Sequence, residues 1–165
     1  MSKVIYQGFG RVGLAAIFAF LEYKAGAEIG VDGGNYSHVI AKNNRGAKLY
    51  SVDYWPHEAK YQKALAKLSN MDNVEMVRKT SAEAVTMFED GALDFVYIDA
   101  AHDYDNVIHD ISVWSEKVRS GGIVSGHDYS NQEPGVIKAV NEYADANGID
   151  KVYILACKSW YWMKQ

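Results

Sequence analysis

LDFVYI, residues 93–98, is a nearly continuous apolar run that ends in Asp99. A strand with apolar side chains on both faces avoids water only at the centre of a parallel sheet covered by helices on either side. The chain around it keeps that rhythm. Ala47–Val52 reads as a strand ending in Asp53, Tyr61, Leu65 and Leu68 share one helical face, and Val74–Val77 reads as a short strand. After Asp99 come a helix with Val107, Ile111, Trp114 and Val118 on one side, the turn Ser120-Gly121-Gly122, and a strand from Ile123 to Gly126. Gly135–Ala144 is helical by the spacing of Val136, Val140 and Tyr143, and two last strands, Lys151–Ala156 and Trp160–Met163, are joined too tightly for a crossover. A connection that short demands a hairpin, so the last strand is antiparallel to its neighbour. The alternation predicts a three-layer α/β fold. With 165 residues, 48% of them hydrophobic, the chain suits one domain, 1–165, with a sizeable core.

The segment AEIGVDGGNYSHVI, residues 27–40, joins a short apolar run to a glycine-rich turn and a helical pattern whose apolar face includes Val39 and Ile40. Glu28, Gly30 and Gly34 spell E-x-G-x-x-x-G, Gly33 adds backbone freedom, and Asn35 or Ser37 is placed to cap the helix. The segment resembles the nucleotide-binding motif of class I S-adenosylmethionine (SAM) dependent methyltransferases. That resemblance implies that the acidic residue and the glycines hold the amino acid end of SAM, within a seven-stranded sheet whose last strand is antiparallel. Asp53 lies where ligands bind beyond the carboxyl ends of parallel strands, and is read as the ribose acceptor. Tyr54 and Trp55 are placed to stack on the adenosine or wall it off. The segment RKTSAEAV resembles the place where the family contacts adenine through a small polar residue and a backbone amide, here Ser81 and Ala82.

Residues 1–26 hold the rival reading. Lys3–Gln7 has a strand pattern, and Gly8, Gly10 and Gly13 spell G-x-G-x-x-G before helical spacing through Leu14, Ile17, Phe18 and Leu21. This resembles a dinucleotide-binding fingerprint, GFGRVG being similar to the start of glyceraldehyde-3-phosphate dehydrogenases, with Asp32 at the distance of a ribose ligand for NAD. The chain lacks the catalytic domain and the placed cysteine that such dehydrogenases need. Taken with the domain, residues 1–26 are an N-terminal helical segment. The apolar run Val12–Leu21, bracketed by Arg11 and Glu22, is too short to span a bilayer and reads as a buried helix. A net charge of −4 with scattered lysines and arginines leaves no footprint for nucleic acid or an anionic membrane. The single cysteine, Cys157, excludes an intrachain disulfide and a cysteine-rich zinc site, pointing to a cytoplasmic protein.

The chemically dense stretches are DAAHDYD, with Asp99, His102, Asp103 and Asp105, and GHDY, with His127, Asp128 and Tyr129. Adjacent parallel strands bring Asp99 to the same sheet end as His127 and Asp128. Together they resemble a metal-dependent branch of these methyltransferases, which includes macrolide sugar O-methyltransferases and cephalosporin hydroxylase-like proteins. The resemblance implies Asp99 and Asp128 as metal ligands, His127 where a carboxylate is common, and His102 as general base. A histidine there leaves manganese, iron or zinc beside magnesium as candidates, and a metal-free version would use His102 or Asp99 as the base. His38, His57 and His109 read as solvated or packing residues. The implied activity is methyl transfer from SAM to a small-molecule acceptor, a hydroxyl oxygen first among the choices, against a binding protein that keeps the SAM site without catalysis. The acceptor pocket is left to the loops after Asp99 and Gly126, the N-terminal helix or a neighbouring subunit, which makes a homo-oligomer an expectation to test.

Overall fold

The computed structural model describes residues 2–165. In chain order the elements are β1 (Lys3–Gln7), α1 (Arg11–Phe20), β2 (Ala25–Ile29), α2 (Asn35–Asn43), β3 (Lys48–Asp53), α3 (Glu58–Leu68) and β4 (Val74–Arg78). There follow α4 (Ser81–Val85), β5 (Leu93–Ile98), α5 (Tyr104–Lys117), β6 (Val118–Gly126), α6 (Pro134–Ala146), β7 (Lys151–Leu155) and β8 (Trp160–Met163). One sheet runs in the order β1-β7-β8-β6-β5-β2-β3-β4. Only β8 is antiparallel, to both β6 and β7. The α/β expectation and the antiparallel last strand both hold.

The sheet has eight strands because residues 3–7 join it, Lys3–Gln7 pairing in parallel with Lys151–Leu155. The first 26 residues are therefore a strand, a helix and the start of β2, and not a helical segment alone. Helix α1 is also less buried than its composition suggests. Leu14, Ala15 and Phe18 are fully covered, whereas Val12 and Phe20 are 60% and 84% exposed. One stripe of the helix meets the sheet, and among the described residues the other is left exposed at Val12 and Phe20.

Two apolar layers sandwich the sheet. On one side Leu14 and Phe18 of α1 and Tyr36 and Ile40 of α2 pack on Phe95 and Tyr97. On the other Val107, Ile111 and Trp114 of α5 and Val136 and Val140 of α6 pack on Val96 and Ile98. Every residue of β5 is buried, which is why its sequence shows no polar alternation. Its one charge, Asp94, is satisfied in place: its carboxylate accepts from the amides of Lys24 (2.5 Å) and Ala25 (2.9 Å) and from Arg119 Nε (2.6 Å). Among the described residues no helix is long and apolar enough to cross a membrane.

The candidate cofactor cavity and its neighbouring cluster

From β2 the chain moves outward through β3 and β4, then returns to lay β5 and β6 on the opposite side of β2. The loops leaving β2 and β5 therefore part in opposite directions, opening a crevice at the carboxyl ends of these strands. A cavity of about 550 Å³ lies there, walled by Ile29, Gly30, Val52, Asp53, Asp99 and Ala100. That size is in the range of small-molecule sites, ~300–1,000 Å³. Gly30 has φ +89°, and a Cβ on it would stand 2.1 Å from the Asp99 carbonyl oxygen. Only glycine lets the two strand ends approach so closely.

The other motif residues have distinct places. Asp53 lines the cavity, but its carboxylate is already occupied. Oδ2 accepts from the amides of Val31 (3.0 Å) and Asp32 (2.9 Å), and Oδ1 from that of Trp55 (2.7 Å). It braces the loop after β2, leaving capacity chiefly at Oδ1 for a ligand. Tyr54 and Trp55 also line the cavity; Tyr54 is 59% exposed, while Trp55 is buried, with its indole N–H donating to the Asp32 carbonyl. Glu28 and Gly34 are not among the lining residues. Glu28 is buried beneath the loop, where Ser37 donates to it and Ser51 donates to Ser37. Burial pushes its carboxyl up to about 8, against a smaller lowering by the Ser37 hydrogen bond. Gly34 takes the left-handed conformation, φ +76°, at the N-cap of α2. Neither Asn35 nor Ser37 caps that helix: Ser37 turns inward, and Asn35 accepts from Lys67.

At the far wall stand Ser81, Ala82, Asn106, His109 and Asp110. Thr80, not Ser81, caps α4, in a capping box with Glu83. Ser81 Oγ instead donates to Asp110 (2.5 Å) and accepts from the Trp114 indole (2.8 Å). Burial raises the Asp110 carboxyl above its usual range, partly offset by the Ser81 bond. Sequence spacing offered no signal for Asp110 or His109, since helical periodicity marks the apolar face of α5 and not the edge that meets a cavity. His57, expected to be solvated or packed, lines the cavity too.

Asp99 joins this cavity to a second group of side chains. The Asp99 amide bonds the Ile29 carbonyl (2.7 Å) and the His127 amide the Ile98 carbonyl (3.0 Å), so the ends of β2, β5 and β6 are tied side by side. Ligand atoms of Asp99, His102 and Asp128 lie within 4.8 Å of one another. His102 Nε2 is 3.0 Å from Asp128 Oδ2 and its Nδ1 is 3.8 Å from Glu133 Oε1, a neighbour the sequence did not suggest. The expected trio held His127 in place of His102. His127 Nδ1 is 3.0 Å from Asp128 Oδ1 and 3.8 Å from Asp99 Oδ1, so it flanks the trio. Burial raises the Asp99 carboxyl; His127 opposes this, Asp128 reinforces it and Arg11, 3.7 Å away, lowers it. Asp128 has φ +62°, a left-handed conformation that costs energy and is concentrated at functional sites.

The rival fingerprint does not reach a comparable position. Gly8, Gly10 and Gly13 follow the edge strand β1, and none of them lines the cavity. Asp32 does line it, but its carboxylate pairs with Lys60 at 2.7 Å.

Residues 27–129 match a family model described as a methyltransferase domain. Among solved structures, the O-methyltransferase NovP aligns with a TM-score of 0.74 at 15% identity, covering 94% of this chain and 79% of that one. An O-methyltransferase from Bacillus cereus in complex with SAH gives 0.72 at 13% identity, covering 93% and 80%. The O-methyltransferase TomG from Streptomyces achromogenes, involved in tomaymycin synthesis and solved with SAM, gives 0.69 at 15% identity, covering 94% and 80%. No curated protein matches the chain significantly. At these identities the solved structures establish the fold, and the family match adds the assignment. That match spans the crevice from Gly30 to Asp128, and the chain belongs to the methyltransferase domain family.

Proposed function

We propose that the chain transfers the SAM methyl group to a hydroxyl oxygen of a small-molecule acceptor, with help from a divalent metal. One observation carries the reading: Asp99 belongs both to the cavity wall and to the Asp99–His102–Asp128 cluster. A methyl donor in the cavity and an acceptor at the cluster therefore meet at one residue. SAM supplies a sulfonium methyl for in-line displacement. The chain must then align the acceptor oxygen and remove its proton. His102, held between Asp128 and Glu133, is the base, and the flanking carboxylates stabilise the imidazolium that forms.

Asp99 and Asp128, flanked by His127 Nδ1 at 3.8 Å and 3.0 Å, would hold a divalent ion and leave His102 as the base, and this mixed oxygen and nitrogen set suits manganese, iron or zinc alongside magnesium. Bound there, the ion would lower the pKa of the acceptor hydroxyl. In the cavity, the close meeting of Gly30 with the Asp99 backbone supports placing the amino acid end of SAM there, with Asp99 receiving its ammonium. Asp53 and the Tyr54 and Trp55 wall are the proposed ribose and adenosine contacts. Glu28 and Gly34 support that loop from beneath.

Calorimetric titration of metal-stripped protein with S-adenosylhomocysteine and with NAD, each with and without manganese or magnesium, tests the reading. Micromolar binding of S-adenosylhomocysteine but not NAD is expected, with a metal heat abolished in Asp128→Ala. NAD binding alone would overturn the proposal.

A further inference from the structure

We propose that Arg11 binds a carboxylate of the acceptor, so that the acceptor is a compact hydroxy acid. The inference rests on the SAM reading above and names the acceptor class. Arg11 is the charged residue of the G-x-G-x-x-G stretch, whose glycines take no part in the cavity. The loop that carries it is pinned to its neighbours. The Phe9 carbonyl accepts from the Ala156 amide (3.0 Å) and the Arg11 amide donates to Cys157 Sγ (3.0 Å), which ties the loop to the turn between β7 and β8. Tyr36 completes the support: its hydroxyl donates to the Arg11 carbonyl (2.8 Å), and the guanidinium lies over its ring, 5.0 Å from the centroid.

Held in this way, the guanidinium reaches Asp99 without being used up by it. The two are 3.7 Å apart, longer than a hydrogen bond, and the Arg11 side chain is still 35% exposed. Tyr97, its other polar neighbour, offers a single hydroxyl already shared with Ser159 (2.8 Å). Five N–H donors in a planar fork therefore exceed the acceptors around them, and that fork matches the two oxygens of a carboxylate. Arg11 is not among the residues that wall the cavity, where the cofactor is placed, so its open edge is available to the acceptor. Both ends of the acceptor then converge on Asp99, the hydroxyl at the Asp99 and Asp128 carboxylates and the acid at Arg11. A hydroxyl and a carboxylate separated by only a few bonds fit that arrangement. Without the guanidinium, Asp99, Asp128 and Glu133 would repel such an anion.

The test is calorimetric titration of protein saturated with S-adenosylhomocysteine and manganese, using meta-hydroxybenzoate and its uncharged counterpart meta-hydroxybenzamide, in wild type, Arg11→Gln and Arg11→Lys. Wild type is expected to bind the acid roughly 10-fold or more tighter than the amide. Arg11→Gln should abolish that preference by weakening the acid alone. Arg11→Lys, which keeps the charge but not the fork, should retain part of it. S-adenosylhomocysteine itself should bind Arg11→Gln within about threefold of wild type. Failure of wild type to bind the acid or to prefer it, or a preference unchanged in Arg11→Gln, would overturn the role of Arg11 and leave the SAM assignment standing. If Arg11→Gln weakened S-adenosylhomocysteine but spared its decarboxylated analogue, the arginine would serve the cofactor's own carboxylate and the proposal would fall. No binding of S-adenosylhomocysteine by wild type would overturn both.

Discussion

Glu28 shows how a residue can match a motif and do something else. Its folded pKa of about 8 exceeds the ordinary 4.5, so the folded protein holds a proton that the unfolded chain releases. The stability this provides is complete below pH 4.5 and is lost as pH rises toward 8, by about 1.4 kcal/mol per pH unit. Glu28→Gln imitates the protonated form and keeps an acceptor for Ser37. It should therefore equal wild type near pH 4.5, exceed it at pH 8 in urea denaturation, and change S-adenosylhomocysteine affinity by less than about threefold. Asp53 is the converse case, since it lines the cavity and also ties down three amides. Asp53→Ala should cost about 2 kcal/mol or more in urea denaturation and weaken S-adenosylhomocysteine as well, the loosened loop adding to the lost ligand contact. Both carboxylates were legible as important from their positions at strand ends. The hydrogen bonds that separate their roles come from residues distant in sequence, and no local pattern records them.

At the scale of elements, two glycines decide how closely the site is assembled. Gly30→Ala would force a side chain onto a backbone with φ +89° and into the Asp99 carbonyl, 2.1 Å away. A loss of at least about 3 kcal/mol in thermal or chemical denaturation is expected. Gly135, in the first turn of α6, acts on the other half of the site. A Cβ there would lie 2.7 Å from the His102 carbonyl oxygen and 2.8 Å from the Tyr104 nitrogen. Gly135→Ala should displace the loop at His102 while leaving the Gly30 and Asp53 side of the cavity in place. Its expected signature is S-adenosylhomocysteine affinity within about threefold of wild type with a metal heat reduced roughly 10-fold or more, because small misplacements of reacting groups are costly. The elements themselves were largely readable: β5 from its unbroken apolar run, the β7–β8 hairpin from its short connection. Helix α1 was misjudged because an apolar composition does not tell how many sides of a helix are covered.

For the whole molecule, the crevice lies where the chain reverses its direction of travel across the sheet, with loops from four strands converging on it. A ligand that binds there only in the folded state stabilises all of it. At a hundredfold excess over its dissociation constant, S-adenosylhomocysteine should contribute about 2.7 kcal/mol and raise the melting temperature by roughly 5–10 °C in a thermal scan, with NAD giving no shift. The alternation of apolar patterns, the glycine-rich turn and the acidic strand ends determined an α/β sheet with a ligand crevice, because burial and backbone freedom are properties of short stretches. Tertiary structure alone decided that β1 completes the sheet beside β7, that His102 and not His127 joins the two aspartates, and that Ser81 is committed to Asp110. Those outcomes depend on which distant loops meet and which hydrogen bonds are already taken when they do, and both are set only when the sheet closes its register.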